Sequence, residues 1–212
     1  GSKRVGLART QALIENLKRE LSMGGTTFTN VTQQGTSTST AGPGAVSGSV
    51  TAPVTRVSTL NGEIITTITV DIQNLSASAG AHGVVIGNEE GGDDNTDHAY
   101  LLTWSDATNG ICYKAEMSCL ETPAGNGVGP ALDINLMLNS AATLIQGGTA
   151  TGDILIDAAG AWAAGVTKQA LDAPIDDTYS LYLVNGNTVA ATGDAQYSAG
   201  KFVIRLYGHA DF

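Results

Sequence analysis

The chain has 212 residues, which is enough for one domain with its own hydrophobic core. Hydrophobic residues make up 42% and charged residues only 14%, with 27 glycines, and this composition favours a β-rich protein with tight turns. The formal net charge of −10 disfavours nucleic acid as a partner, because phosphates would be repelled. No run approaches the roughly 18 apolar residues of a membrane span, so we do not expect a membrane partner.

Residues 1–25 are predicted to contain one short helix, over residues 10–21. Thr10 can cap its first turn, and the glycine pair at 24–25 would end it. A helix of about twelve residues is marginal alone, so it should pack on its own domain or on another subunit. Four apolar side chains recur on one face and are candidate oligomerisation contacts: Leu13, Ile14, Leu17 and Leu21.

Charge is divided unevenly along the chain. Residues 1–21 hold five bases and two acids, a net charge of +3, whereas the rest holds five bases and eighteen acids, a net charge of −13. The basic segment is either a solvated helix face or a peg that binds the acidic surface of a neighbouring copy.

Residues 26–59 are predicted to form an extended arm. Fifteen of these 34 positions are Ser or Thr, and Arg56 is the one charged residue among them. Threonines favour extended chain, whereas Gly-Pro-Gly at 42–44 blocks continuous pairing, so we expect short strand pieces. The alternative is a flexible linker. Because the apolar stripe adjoins an arm too polar to form its own core, we predict a homo-oligomer, a trimer or larger.

Residues 60–212 carry the pattern of an antiparallel β-sandwich or jelly roll. Apolar and polar residues alternate from Ile64 to Ile72, after an Asn-Gly turn at 61–62. Periodic turns without helix–strand alternation favour antiparallel sheets packed face to face. Seven further strands are predicted at 84–86, 99–104, 111–120, 132–139, 154–157, 178–184 and 201–207, with a candidate at 188–191.

The two cysteines, Cys112 and Cys119, lie on one predicted strand. They are seven positions apart, so they are predicted to face opposite sides of the sheet. Their separation is roughly 23 Å at about 3.3 Å per residue, whereas a disulfide needs α-carbons within about 7 Å. We therefore predict two free thiols, which favours synthesis in a reducing compartment.

The densest polar cluster spans residues 88–98. Asp93, Asn95 and Asp97 have the alternate spacing of a calcium-binding loop, which makes Ca²⁺ a candidate ligand. The EF-hand pattern then fails, because His98 stands where glycine is needed and Trp104 stands where the final glutamate is needed. The alternative is a solvated acidic loop. Apart from this Ca²⁺, no cofactor is predicted.

No arrangement of residues resembles an active site, and we predict that the protein is not an enzyme. The histidines are far apart, at 82, 98 and 209, and neither a serine-nucleophile motif nor a phosphate-binding loop is present in the sequence. Carboxylates that could pair as in glycosidases lie in predicted loops, where nothing fixes their separation: Asp93, Asp94, Asp97, Asp176 and Asp177.

Three segments resemble structural proteins of marine tailed bacteriophages. They are residues 4–17 (RVGLARTQALIENL), 119–123 (CLETP) and 198–208 (SAGKFVIRLYG). The resemblance implies a virion protein made in the host cytoplasm, located in the capsid shell or decorating it. It also implies other virion proteins as partners and offers no catalytic residues. The size and composition of the chain differ from those of a usual major capsid protein, which favours an accessory role.

Two other functions are weighed against the capsid-associated role. A trimeric tail-fibre or receptor-binding (adhesin) module would expose aromatic side chains at the tips of the sandwich. A carbohydrate-active enzyme or carbohydrate-binding domain would have a pocket with convergent polar groups and perturbed pKa values. Aromatic residues make up only 5% of the chain, so the capsid-associated role ranks first.

Overall fold

The computed structural model describes residues 34–37, 53–60, 62–77, 83–87, 98–126, 132–144, 147–186 and 195–210. All of them belong to a unit that spans residues 34–212. Most of the predicted arm lies outside the described residues, and so does the predicted N-terminal helix with its candidate contacts: Leu13, Ile14, Leu17 and Leu21.

Two antiparallel β-sheets pack face to face around a common core, which confirms the predicted β-sandwich. The large sheet has seven strands, in the order β1-β2-β3-β11-β6-β9, with β4 beside the start of β11. The small sheet has four strands, in the order β5-β10-β7-β8. The elements are β1 (Gln34–Ser37), β2 (Val54–Leu60), β3 (Glu63–Asp71), β4 (Ser76–Ala77), β5 (Leu102–Thr103), α1 (Asp106–Asn109), β6 (Ile111–Asn126), β7 (Ile134–Asn139), β8 (Ile154–Ile156), β9 (Thr167–Leu171), β10 (Ser180–Asn185) and β11 (Ala195–His209).

Alternating side chains of both sheets fill the space between them. On β3 the inward positions are those that the alternation predicts, and Ile68 and Val70 are fully buried. Trp162 lies in the same core, where its indole N–H donates to the Ile134 carbonyl oxygen at 2.8 Å. Its ring meets Phe202 edge-on, with 5.4 Å between the ring centroids. Because Ile134 belongs to β7 and Phe202 to β11, this tryptophan ties the two sheets together.

The two central strands of the small sheet, β7 and β10, are buried on both faces. A second apolar cluster covers the face that points away from the large sheet: Val85, Ala99, Met137, Ala150, Tyr182 and Val184. The Tyr182 hydroxyl donates to the Ala141 carbonyl oxygen at 2.8 Å, so the polar end of this buried ring is satisfied. By contrast, the outward side chains of β3 and β9 in the large sheet are half-buried or exposed.

The strands differ from the predicted ones chiefly at their ends. Six of the seven residues of β2 lie in the range 26–59 that the sequence assigned to the arm, and β2 pairs with β3 over its whole length. The sheet therefore begins before the predicted boundary at residue 60. Strands β6 and β11 run beyond the predicted 111–120 and 201–207, and β9 has no predicted counterpart. Residues 84 and 85 form isolated bridges, and the candidate at 188–191 lies outside the described residues.

The two cysteines face the same side of the large sheet, so the prediction that they face opposite sides is wrong. Tyr207 and Gly208 are successive residues of β11, and they pair with Lys114 and Cys112, respectively. Tyr113 is therefore the extra, unpaired residue of a β-bulge in β6. The bulge shifts the alternation by one position and turns Cys112 into the core, where Cys119 also lies. Both thiols are free, as predicted.

We expect both thiols to resist modification in the folded protein. Burial raises the pKa of Cys112 to about 11 and also raises the pKa of Cys119, so little thiolate forms at neutral pH. An aromatic disulfide reagent should therefore react slowly with the native chain and titrate two thiols after denaturation. Rapid reaction of either thiol in the native protein, or an intramolecular bridge detected by intact mass, would contradict the described packing.

Two glycines let the start of β6 approach the end of β11. Gly110 has a φ of 75°, in the left-handed region that favours glycine, at the turn before β6. A Cβ atom at Gly208 would clash with the backbone oxygen of Asn109. The backbone therefore has room for no side chain at this crossing.

Gly208→Ala should destabilise the fold by about 3 kcal/mol, the upper end of the usual cost of overpacking, because the clash is with backbone and one strand must move. Gly165→Ala is the control, since Gly165 has a φ of 86° but no heavy atom within 4 Å of the position that a Cβ would take. The control should show a conformational cost of about 1 kcal/mol and no steric cost. Urea unfolding compares the two variants, and equal stabilities would rule out the close approach at Gly208.

Candidate interaction surface

The outer face of the large sheet carries cross-strand rows of side chains. Side chains directly opposite each other on one face of antiparallel strands have Cβ atoms about 4.5–5.5 Å apart, so each row is a line of contacts. Two neighbouring rows cross four strands: Thr67, Arg205, Glu116 and Gln169, then Ile65, Tyr207, Lys114 and Leu171.

Most charges on this face are paired with one another. The Lys201 ammonium lies 3.0 Å from a carboxylate oxygen of Asp71 and 3.4 Å from one of Glu121. The hydrogen bond to Asp71, with the charges of both carboxylates, raises the pKa of Lys201. The Lys114 ammonium lies 2.7 Å from a Glu116 oxygen, and this hydrogen bond is the main cause that lowers the pKa of Glu116. The bases and acids of this face therefore largely compensate each other's charge.

A tyrosine cluster lies beside these ion pairs. The Tyr207 hydroxyl donates to Glu116 at 2.7 Å, and the Lys114 ammonium sits 4.8 Å from the centre of the same ring. The ring of Tyr113 lies 6.4 Å from that of Tyr207 and 6.2 Å from that of His209. Burial, followed by the hydrogen bond to Glu116, raises the pKa of Tyr207 to about 12. Tyr207 is therefore a neutral hydrogen-bond donor at physiological pH.

Three exposed apolar side chains gather where β6 begins and β9 ends, and we name them the apolar tip. Ile111 is 40% exposed, Tyr113 is 41% exposed and Leu171 is 69% exposed. The backbone N–H of Asp172 donates to the Tyr113 carbonyl oxygen at 3.0 Å, which holds the end of β9 against the bulge. Tyrosine and apolar side chains grouped in this way are typical of the centres of protein interfaces.

Carboxylates lie at the same end of the sandwich as the apolar tip. The Tyr113 hydroxyl donates to Glu63 at 2.5 Å. On the α1 side, the backbone N–H of Asp106 donates to the Asp177 carboxylate at 3.1 Å, and the Asp106 carboxylate accepts from the Trp104 indole at 3.0 Å. These bonds fix the first turn of α1 beside the turn that precedes β10. We define the acidic rim by its carboxylates: Glu63, Asp106, Asp172, Asp176 and Asp177.

Positive charge in residues 22–212 is confined to strands of the large sheet. Its five bases are Arg56, Lys114, Lys168, Lys201 and Arg205. The same strands hold four acids, so their net charge is +1: Glu63, Asp71, Glu116 and Glu121. The other fourteen acids of residues 22–212 lie in segments that contain no base. The sandwich thus combines a neutral sheet with a strongly acidic remainder.

The candidate metal ligands Asp93, Asn95 and Asp97 lie outside the described residues. Within the described ranges, no group of three or more His, Cys, Asp and Glu side chains is arranged to hold a metal ion. Asp176 and Asp177, weighed as glycosidase carboxylates, are exposed in the turn before β10. The helix in the described part of the chain is too short to cross a membrane.

Sequence reasoning missed the apolar tip. Ile111 and Tyr113 are two positions apart, so regular alternation would put them on the same face as the buried Ala115 and Met117. The bulge reverses this and turns Ile111 and Tyr113 outward. Leu171 stands in a segment with no predicted strand. The one signal in the sequence was the Asn-Gly turn at 109–110, which marks a chain reversal at this end of the sandwich.

No protein-family model, no curated protein and no solved structure matches this chain. The features of this chain that bear on its function are the described surface, the distribution of charge and the resemblance of the three sequence segments.

We expect the Lys114–Glu116 pair to contribute to the fall in the free energy of unfolding at acid pH. The folded-state pKa of Glu116 is lowered, so its contribution to stability is present above the unfolded pKa, about 4.3, and is lost as the pH falls through the folded pKa. Glu116→Gln should remove this part of the acid destabilisation. Asp153→Asn, at an exposed residue before β8, serves as the control for removing one carboxylate.

Urea unfolding of the three proteins at neutral pH and at acid pH measures this effect. The fall in unfolding free energy on acidification should be smaller in Glu116→Gln than in the parent chain or in Asp153→Asn. An equal fall in all three would mean that the pair contributes nothing to folding, as many surface pairs do.

Proposed function

We propose that the protein is a structural component of a tailed-phage virion, in the capsid shell or decorating it. It acts by self-association through its N-terminal helix and arm, residues 1–25 and 26–59. The observation that carries the proposal is the apolar tip with its acidic rim, which is a surface suited to a protein partner. The resemblance at residues 4–17, 119–123 and 198–208 supplies the virion setting.

The chemistry of the described core supports a structural role rather than catalysis. The thiols of Cys112 and Cys119 contact backbone oxygens of Lys114 and Glu121, and both are buried in the core between the sheets. Their raised pKa values come chiefly from burial, which makes a thiol inert. The raised pKa values of the two thiols are therefore explained by packing, without an acid–base pair.

A tail-fibre or receptor-binding module is the second candidate function. One observation favours it: Tyr113 is 41% exposed at an end of the sandwich, next to the rings of Tyr207 and His209. Exposed tyrosines are common where a protein recognises a surface. The labelled protein should bind host cells if this function is correct, and should bind capsids that lack it if the capsid-associated function is correct.

Deleting residues 1–33 should leave a folded sandwich that associates less. The deletion removes the predicted stripe and all five bases of residues 1–21, whereas every described strand lies after residue 33. The parent chain should be a trimer or larger by light scattering at tens of micromolar, and the shortened chain should be smaller with an unchanged β-sheet circular dichroism spectrum. A monomeric parent chain, or a shortened chain that stays fully assembled, would overturn the proposal.

A further inference from the structure

The apolar tip and the N-terminal segment of the chain are complementary in two independent respects. The tip presents Ile111, Tyr113 and Leu171, exposed by 40%, 41% and 69%. Residues 1–21 present an apolar stripe at helical spacing. The acidic rim lies at the same end of the sandwich as the tip, whereas residues 1–21 have a net charge of +3. Apolar area in the centre with opposite charges around it is the usual composition of a specific protein contact.

We propose that the apolar tip and acidic rim bind the basic segment, residues 3–21, of a neighbouring copy of this chain. The inference rests on the proposed self-association and names the surface that receives the segment. The apolar stripe covers the tip, and Arg9, Lys18 and Arg19 approach the rim carboxylates. The nearest base on the large sheet, Lys114, is already paired with Glu116 at 2.7 Å and so leaves the rim uncompensated.

Other exposed apolar residues fit this occupant less well. Leu120 is 58% exposed, but the adjacent carboxylate of Glu121 lies 3.4 Å from Lys201 and is already compensated. A second copy of the tip is also a poor occupant, because two acidic rims would face each other and like charges repel. The basic segment avoids this repulsion, and it is the one part of the chain with a net positive charge of +3.

The test uses the full chain and measures its self-association constant by sedimentation or light scattering. Leu171→Ser should weaken association by about tenfold or more, because a leucine buried at the centre of a contact contributes strongly to it. Leu120→Ser is the matched control: Leu120 is equally long and similarly exposed, lies on the same face of the sheet, and should leave association unchanged. Thermal unfolding checks that both variants are folded.

Reversing charges on the rim and on the N-terminal segment then tests whether this segment is what binds the tip. Asp176→Lys should weaken association by several fold, whereas Asp153→Lys, also at an exposed carboxylate, should not. Lys18→Glu combined with Arg19→Glu in the parent chain should weaken association more than Asp176→Lys does, because the net charge of residues 1–21 falls from +3 to −1 and the rim then repels the segment. Association of the parent chain should also fall as salt rises, since the rim and the segment attract each other through solvent-exposed charges.

The outcomes separate this inference from the proposed function. If the parent chain is a monomer, the proposed function fails and the inference fails with it. If the parent chain associates and loses association on deletion of residues 1–33, but Leu171→Ser and Asp176→Lys have no effect, the segment binds elsewhere and only the inference is overturned. If Leu171→Ser dissociates the protein but the deletion does not, the tip contacts another sandwich, which also overturns the inference.

Discussion

Pairing between β6 and β11 is the interaction on which the rest of the described structure depends. These strands have 16 and 15 residues, and they lie next to each other inside the large sheet, flanked by β9 and β3. Their register turns Phe202, Ile204 and Leu206 into the core and leaves the residues between them outside. The bulge at Tyr113 is a local consequence of that register, and it decides both where the thiols lie and where the apolar tip forms.

Burial of the small sheet determines which surface can act. The outer face of that sheet is covered by the second apolar cluster, so among the described strands the large sheet is the one that offers an open face. The tip is also held firmly. The Asn109 side chain donates to the Thr66 hydroxyl at 2.9 Å and accepts from the Ser105 backbone N–H at 3.1 Å, which ties the turn after α1 to β3. A contact surface fixed in this way loses little conformational entropy on binding.

The sequence was sufficient for the fold class and insufficient for the surface. Alternation from Ile64 to Ile72 predicts the inward side of β3 because a regular strand keeps its period of two. The same reasoning fails between Cys112 and Cys119, because one bulge residue reverses the parity and nothing in the local sequence announces it. Strand β9, Thr-Lys-Gln-Ala-Leu, is specified by its pairing with β6 rather than by its own apolar pattern. The bases lie on strands that are far apart in the sequence, so their grouping on one sheet became visible only with the sheet topology.

The proposed contact also bears on the kind of assembly that can form. A segment of one copy that binds the tip of the next makes a heterologous contact, in which each copy contributes one segment and receives another. Such contacts are all satisfied when three or more copies close into a ring, and a dimer satisfies them only if its two copies exchange their segments reciprocally. A two-fold contact between tips would bring two acidic rims together, and the charge of −13 on residues 22–212 would oppose it. In the proposed contact, the separation of the basic segment from the acidic sandwich would therefore favour binding of segment to tip over binding of one tip to another.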